Sequence, residues 1–391
     1  MGGPSSTFGF TIALGSDGSV YTAGQYSGTT NDFDPGPNTY TLPIVSGKDA
    51  YISKLDSNGN FIWTKSFIGP SDEIPEKLTL DQNDNLYIAG YFEETIDFDP
   101  SPNNFTLTAE GDKDIFITKL DKTGNFIWVK QIGGLYTDWA RSITSDNDDY
   151  IYATGTYNGN VDFDPGPSIF MINGNSSDNI LVLKLDTIGN FVWAKGIGKL
   201  YTDRASSINL DYENNIIVAG YFDGIVDFNP NAGLNNLQSN GLKDIFVLKL
   251  DNDGNFLWAK QTGGISSDET RSVTTDKLGN IYITGWFSQT VDFDPGIGFF
   301  ELSVINNNDG FISKLDKNGD FLWAKQLGDS GSISSFSIET DTFGNIFSSG
   351  RFNGSFDADP NNGVSNLTAT SGEVYTSTQC LNVAQIILVL I

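Results

Sequence analysis

Histidine is absent from the 391 residues. That removes the usual general base, the Ser-His-Asp and Cys-His nucleophile systems, and the usual zinc or copper ligand. Cysteine occurs once, at Cys380, so one chain can build neither a disulfide framework nor a thiolate metal site. Basic residues are scarce, 22 against 49 acidic ones, for a formal net charge of −27. This balance opposes binding to nucleic-acid phosphates and to anionic membrane leaflets, and it favours solubility and attraction of cations. No run reaches the ~18 apolar residues of a membrane-spanning helix. The opening MGGPSSTFGF has neither the positive n-region nor the apolar h-region of a signal peptide. The expectation is that a signal was removed or that the chain is a fragment. No amphipathic helical pattern is visible either.

What the chain has instead is repetition. KLDSNGNFIWTK from Lys54 returns at Lys119, Lys184, Lys249 and Lys314 with a spacing of 65 residues, and Trp63, Trp128, Trp193, Trp258 and Trp323 keep the same step. A fixed period of this length signals a repeat architecture. Each unit also contains two β-type runs around a turn, as in LTLDQNDNLYIAG (78–90) and VTTDKLGNIYITG (273–285). Alternating β-branched and aromatic residues between Asp/Asn/Gly clusters predict hairpins. An acidic proline motif follows: DFDPGP (32–37), DFDPSP (97–102), DFDPGP (162–167), DFNPNA (227–232), DFDPGI (292–297) and DADPNN (357–362). After it an aliphatic position recurs at Leu42, Leu107, Ile172, Leu237, Leu302 and Leu367, and each unit closes on a link such as QTGGISSD.

One unit therefore predicts four antiparallel strands, a to d. The a–b pairs fall near residues 11–35, 78–100, 143–165, 208–230, 273–295 and 338–360, and the c–d pairs near 50–68, 115–133, 180–198, 245–263 and 310–328. The fold class this implies is all-β, a β-propeller of six four-stranded repeats of 65 residues, with a β-solenoid as the rival. Residues 1–372 form the single repeat domain. Residues 373–391, EVYTSTQCLNVAQIILVLI, do not match strands c and d, so the last repeat is expected to be incomplete and the tail atypical. A shift of reading frame near Val374 is the expected cause. Antiparallel order puts the short a–b and c–d turns at one face and the long b–c and d–a loops at the other. Loops on a rigid scaffold commonly carry function, so the long-loop face is the expected binding face.

The run KDIFITKLDKTGNFIWVKQIGG…RSITSDNDDYIYATGTY resembles the bacterial β-propeller repeat of the SBBP type. The resemblance spans nearly all of residues 11–372 and rests on ordered motifs in every copy. It implies a propeller of secreted or surface proteins that often carry further adhesion or sorting modules. The family brings no established catalytic residues. The DFDPGP insert departs from the family, which more often has DFP.

Several residues invite a chemical reading. In each DFDP motif two carboxylates alternate across a phenylalanine or its counterpart: Asp32 and Asp34, Asp97 and Asp99, Asp162 and Asp164, Asp292 and Asp294, Asp357 and Asp359, with Asp227 and Asn229 in the fourth copy. Both can point to one side while the phenylalanine packs inward. Such pairs beside Gly/Pro/Asn carbonyls suit Ca²⁺. They equally suit Asx turns that stitch the loop backbone, and no full DxDxDG calcium loop is present. Asp121, Gly124 and Asn125 read as turn chemistry, with glycine supplying a positive φ. The repeated Trp reads as inter-repeat core. The repeated Lys54, Lys119, Lys184, Lys249 and Lys314 read as outward charges guarding a sheet edge. Trp139, placed in a d–a loop, and Trp286, on strand b, break the repeat and are the ligand-face aromatics.

The function this predicts is a non-catalytic, secreted or cell-surface scaffold that binds a protein or glycan through the long-loop face. No cofactor is required, with Ca²⁺ as an optional ion; no nucleic acid and no membrane span are expected. The alternatives are a propeller lyase or glycosidase using paired Asp, and a structural spacer of a larger surface protein.

Overall fold

The computed structural model describes residues 6–28, 30–44, 47–198, 200–328, 332–357, 366–369, 374–381 and 385–390. All regular structure among them is β-strand, and no helix is long and apolar enough to cross a membrane. The chain divides into two units, Met1–Gly196 and Ile197–Ile391.

The second repeat shows the plan. Its strands are Glu73–Leu80, Leu86–Phe92, Asp114–Leu120 and Phe126–Ile132. They pair antiparallel in the order first, second, third, fourth. The second and third strands are buried along their whole length, whereas the fourth is mostly half-buried, with Ile127 exposed. The tight turns follow the sequence expectation. Asp121 Oδ1 accepts from the backbone of Thr123 at 2.8 Å and of Asn125 at 2.9 Å, and Gly124 holds φ at 81°.

The long b–c loops carry structure that the four-strand plan lacks. Thr95–Asp97 pairs with Thr106–Thr108 as a small ribbon, with Ile96 opposite Leu107. Asn160–Asp162 and Met171–Asn173 do the same. In the fourth and fifth repeats the ribbons merge with their neighbours into Ile216–Asp227 with Asn236–Leu250, and Ile281–Asp292 with Glu301–Leu315, whereas Ser355–Asp357 and Asn366–Thr368 stay a separate ribbon. The recurrent aliphatic residues are thus ribbon positions facing Ile96, Val161, Val226 and Val291.

Consecutive repeats meet along their first strands. In the first unit Leu78 N donates to Thr11 Oγ1 at 3.2 Å, and Ser145 Oγ donates to the Leu80 carbonyl at 3.1 Å. In the second, Val273 N donates to Ser207 Oγ and Ile338 N to Ser272 Oγ, both at 3.2 Å. Apolar layers lie between the repeats. Trp63, Trp128, Trp258 and Trp323 pack against them half-buried, in keeping with the core reading of the repeated tryptophan.

The last repeat departs from expectation. Val374–Leu381 and Gln385–Leu390 occupy the third and fourth places beside Ile333–Thr340 and Ile346–Phe352, in a four-stranded sheet. Ile346 faces Cys380 as Ile281 faces Leu315 one repeat earlier, so the tail keeps the register instead of leaving the repeat incomplete. Ladder bonds join backbone to backbone, which is why a stretch with foreign side chains can take these positions.

Candidate functional site

A β-bulge marks the start of every first strand. The cross-strand register skips Phe10, Glu76, Arg141, Ser206, Arg271 and Phe336, one position in each repeat. Bulges of this kind re-aim a side chain and raise the local twist. The cause is visible one strand away. A Cβ on Gly285 would lie 2.0 Å from the Glu269 carbonyl oxygen, and one on Gly155 would lie 1.9 Å from that of Trp139. Gly24, Gly90, Gly220 and Gly350 face the same obstruction. The glycine that ends each YIAG-type motif therefore lets the bulged strand press against the second strand.

Beneath the bulges lies a frame of buried acids. Asp138 takes Gly134 N at 2.8 Å and Asn158 N at 2.9 Å, and Asp268 takes Gly264 N at 2.8 Å and Ser288 N at 2.9 Å. Each ties a Gly-Gly link to the end of a second strand. Burial pushes both carboxyls up to about 7. Glu73 holds the equivalent place one repeat before Asp138; burial, then the charges of Asp49 and Asp72, push it up to about 10. Asp114 and Asp244 are also raised by burial, and one oxygen of each is buried without a hydrogen-bond partner.

Near these acids stands a row of residues that varies among the repeats. In the first unit Trp139 opens its strand rather than sitting in a loop. Its indole N–H donates to Glu76 Oε1 at 3.0 Å, its ring meets Tyr91 edge-on at 4.7 Å, and the Arg141 guanidinium lies 3.3 Å over it. Lys113 stands 4.2 Å above the Tyr91 ring and 3.2 Å from Glu93. Burial works against the charge of Lys113, yet Tyr91 and Glu93 hold its pKa above the ordinary value.

The second unit offers a counterpart. Glu269 lies between Lys243 and Arg271, 3.0 Å from each, with Lys243 4.6 Å above Tyr221. Trp286 pairs across the ladder with Glu269, and Arg351 pairs with Ser334 and lies 5.5 Å from the Phe336 ring. The two tryptophans singled out from the sequence thus belong to equivalent rows. The acids, cations and bulge residues around them escaped sequence reading; the invariant glycine was the available signal.

The DFDP carboxylates have a local occupation. Asp97 Oδ1 accepts from Asp99 N at 3.1 Å and Phe105 N at 2.8 Å, and Asp99 Oδ1 accepts from Ser101 N at 2.9 Å. In the first repeat Asp32 Oδ1 accepts from the backbone N–H of Asp34 at 3.0 Å and of Tyr40 at 2.9 Å. Asp34 Oδ1 accepts from Gly36 N at 2.7 Å. In the third repeat Asp162 Oδ1 accepts from Asp164 N at 3.1 Å and Phe170 N at 2.8 Å. Asp164 likewise closes its own turn, with Asp164 Oδ1 accepting from Gly166 N at 2.8 Å. Asp292 and Asp294 repeat the pattern, and Asp227 and Asn229 reproduce it with the amide oxygen.

Asp32, Asp34, Asp97, Asp99, Asp162, Asp164, Asp227, Asp292 and Asp294, expected as Ca²⁺ ligands, each form Asx turns through Oδ1. In every pair the backbone N–H two residues on donates to Oδ1, and the first aspartate also accepts from the N–H eight residues on. Asp359 lies outside the described residues, and of Asp357 only the backbone is described. Among the described residues no three acidic, cysteine or histidine side chains converge on a common point. Phe98 is buried, 5.3 Å from Phe92 and 5.0 Å from Phe116, so the motif pins its loop to the core. Its backbone also latches the previous repeat, with Asp97 N donating to the Ile68 carbonyl at 3.1 Å.

Contrary to the outward reading, Lys54, Lys119, Lys184 and Lys249 are buried and Lys314 is half-buried. Lys119 reaches Asp81 at 3.2 Å and donates to the Tyr87 hydroxyl; Lys249 reaches Asp211 at 2.8 Å and Lys314 reaches Asp276 at 3.8 Å. Each joins a third strand to the aspartate of an a–b turn. At that short-turn face a hollow of about 440 Å³ is lined by Ser16, Gln82, Asp84, Asp121, Lys122 and Thr123 among others, and Ser16 already closes onto Asp84 at 2.6 Å.

The architecture is that of a repeat protein built from antiparallel hairpins, and comparison with known families agrees. Residues 127–161 and 257–286 match the SBBP family, described as a beta-propeller repeat. Both matched segments lie within the repeats described above. It is 24% identical over 88% of its length to an uncharacterized WD repeat-containing protein of Acanthamoeba polyphaga mimivirus, of which it covers 29%. It is 27% identical over 48% of its length to the regulatory protein FlaEY of Caulobacter vibrioides, of which it covers 20%. The chain thus spans less than a third of either relative. A protein of unknown function from Bacteroides caccae aligns at a TM-score of 0.30 and 9% identity, over 71% of this chain and 89% of that one, too slight a likeness to carry an argument.

Proposed function

We propose that the chain is a non-catalytic β-propeller scaffold of a secreted or cell-surface protein, binding a protein or glycan through the ends of its strands at the long-loop face. The observation that carries this reading is the division of labour between repeated and unrepeated residues. Turn aspartates, buried lysines, ribbon phenylalanines and core tryptophans recur because each repeat must fold. The bulge positions and their neighbours differ from repeat to repeat and lie at the long-loop end. A recognition surface needs such variety, whereas packing does not. The beta-propeller repeats and the likeness to a WD repeat-containing protein support the scaffold reading. The paired aspartates hold their own loops through Oδ1, a structural role in keeping with the scaffold reading.

The test is to present the whole chain to arrays of glycans and of surface proteins and to assay every ligand found for turnover. Binding without turnover that is weakened by Trp139→Ala or Arg271→Ala upholds the reading. Turnover of a bound ligand, or binding unaffected by changes at the long-loop end, overturns it.

A further inference from the structure

Neighbouring repeats meet through a fixed pair of positions. The incoming one is the second residue after each bulge. In the first unit Leu78 joins the apolar layer of Tyr21, Ala23 and Ile52, from the repeat before it, and Ile143 joins that of Tyr87, Ala89 and Ile117. In the second unit Val273 joins Ile217, Ala219 and Val247, and Ile338 joins Tyr282 and Ile312. These four incoming residues are at most 3% exposed. The outgoing position is the second residue of the second strand, held by Tyr21, Tyr87, Ile217 and Tyr282, and these are buried as deeply.

The first and last repeats depart from this pattern. Ile12 holds the incoming position of the first repeat, opposite Thr22 as Leu78 is opposite Ile88, yet it is 62% exposed. Phe8, Phe10 and Leu14 on the same strand are exposed as well, although Leu80, the counterpart of Leu14, packs on the layer between two repeats. Phe347 holds the outgoing position of the last repeat, opposite Glu339 as Tyr282 is opposite Thr274, and it too is exposed. A repeat array that stands alone ends in repeats with polar outer faces. Here the end repeats keep the apolar residues of an interface, and contiguous exposed apolar surface marks a site of association.

We propose that the chain associates with a second copy of itself, head to tail, the first strand of one copy seating on the last repeat of the other. The proposal is independent of any ligand taken at the long-loop face. Its occupant follows from the interface that the chain already builds between its repeats: four aliphatic residues at the incoming position are each covered by the outgoing face of a repeat. Ile12 and Phe347 are exposed in the single chain, so a second chain brings the missing cover. The backbone fits the same seat. Val273 N donates to Ser207 Oγ and Ile338 N to Ser272 Oγ, and the same register sets Ile12 N before Ser337 Oγ of the second copy. The two faces differ, so the contact is heterologous, and a pair of copies still offers one face of each kind.

The experiment is sedimentation of the whole chain over a wide range of concentration. The mass is expected to rise above the 42.5 kDa of one chain as concentration increases. Ile12→Asp spoils the incoming face and Phe347→Asp the outgoing one, and each variant alone should stay monomeric, with its dissociation constant raised more than tenfold. Mixed in equal parts they should form a pair and go no further, because one intact face of each kind remains. Leu278→Asp, at an exposed turn away from both faces, should associate like the unaltered chain. Thermal melting confirms that each variant is folded. Monomers at every concentration, self-association of Phe347→Asp through a symmetric contact, a mixture that stays monomeric, or an equal loss in Leu278→Asp overturns the proposal and leaves the scaffold reading standing. A large fall in the melting temperature of the dilute monomer on Ile12→Asp also overturns it, since the chain then covers that face itself.

Discussion

A carboxyl group that folds into an apolar site is held by its proton. Asp138 and Asp268, pushed up to about 7, and Glu73, pushed up to about 10, are protonated in the folded chain at pH values where the unfolded chain has released those protons. Their cost is absent below the ordinary carboxylate range, grows as the pH rises above it, and is complete once the pH passes each folded value. The protein is therefore expected to resist urea better at pH 5 than at pH 8. Glu73→Gln should remove part of that slope and raise stability at pH 8 by on the order of 2 kcal/mol. A flat profile from pH 5 to pH 8 contradicts the burial of these groups. The repeated lysines behave oppositely. Lys249→Met strands the buried Asp211 without its partner at 2.8 Å and should cost about 3 kcal/mol in urea unfolding. Lys317→Met at an exposed turn should cost almost nothing. These roles were hidden in the sequence because alternation separates the two faces of a strand without telling that both are covered. The third strand Asp114–Leu120 is buried on both, and Lys119 meets Asp81 on a different hairpin.

Turns and hairpins were legible as elements because their chemistry is local. An aspartate, a glycine at positive φ and an asparagine within five residues need no distant partner. The bulges were not legible, since one extra residue leaves the composition of a strand unchanged; only the recurring glycine opposite betrays them. Gly285→Ala places a Cβ 2.0 Å from the Glu269 carbonyl and should cost well over 2 kcal/mol or abolish the bulge, with Arg271 losing its place beside Glu269. Gly59→Ala is the contrast. Its turn has φ near 81° and nothing within 4 Å, so only backbone strain remains, about 1 kcal/mol. Comparing the two by denaturant midpoints separates obstruction from strain. The DFDP ribbons carry a parallel expectation. Asp292→Ala removes the acceptor for Asp294 N and Phe300 N and should lower the melting temperature by a few degrees, by the same amount with or without Ca²⁺. A loss seen only in Ca²⁺ restores the metal reading of that loop.

Across the whole chain the period of 65 residues announced a β repeat protein, and the sheets obey it down to the register of Cys380. The motifs that looked most like chemistry, the paired aspartates, fasten the loops of their own repeats through Oδ1. The residues that do not repeat emerged as the recognition candidates. A net charge of −27 gives the molecule a general self-repulsion. Its melting temperature should rise between low and moderate salt, whereas a fall means that the buried Lys–Asp pairs are screened more than the surface charge.

The bulge also makes the fold easy to rewrite. A residue that the ladder skips is not held to a β-type side chain by its neighbours across the strand, and none of the six is buried. Its identity therefore escapes the constraints that fix the rest of the strand. Six such positions work like the letters of a word written on a fixed keyboard. Phe, Glu, Arg, Ser, Arg and Phe spell the present one. A library varied at those six sites alone is a direct route to new specificities on the same chain.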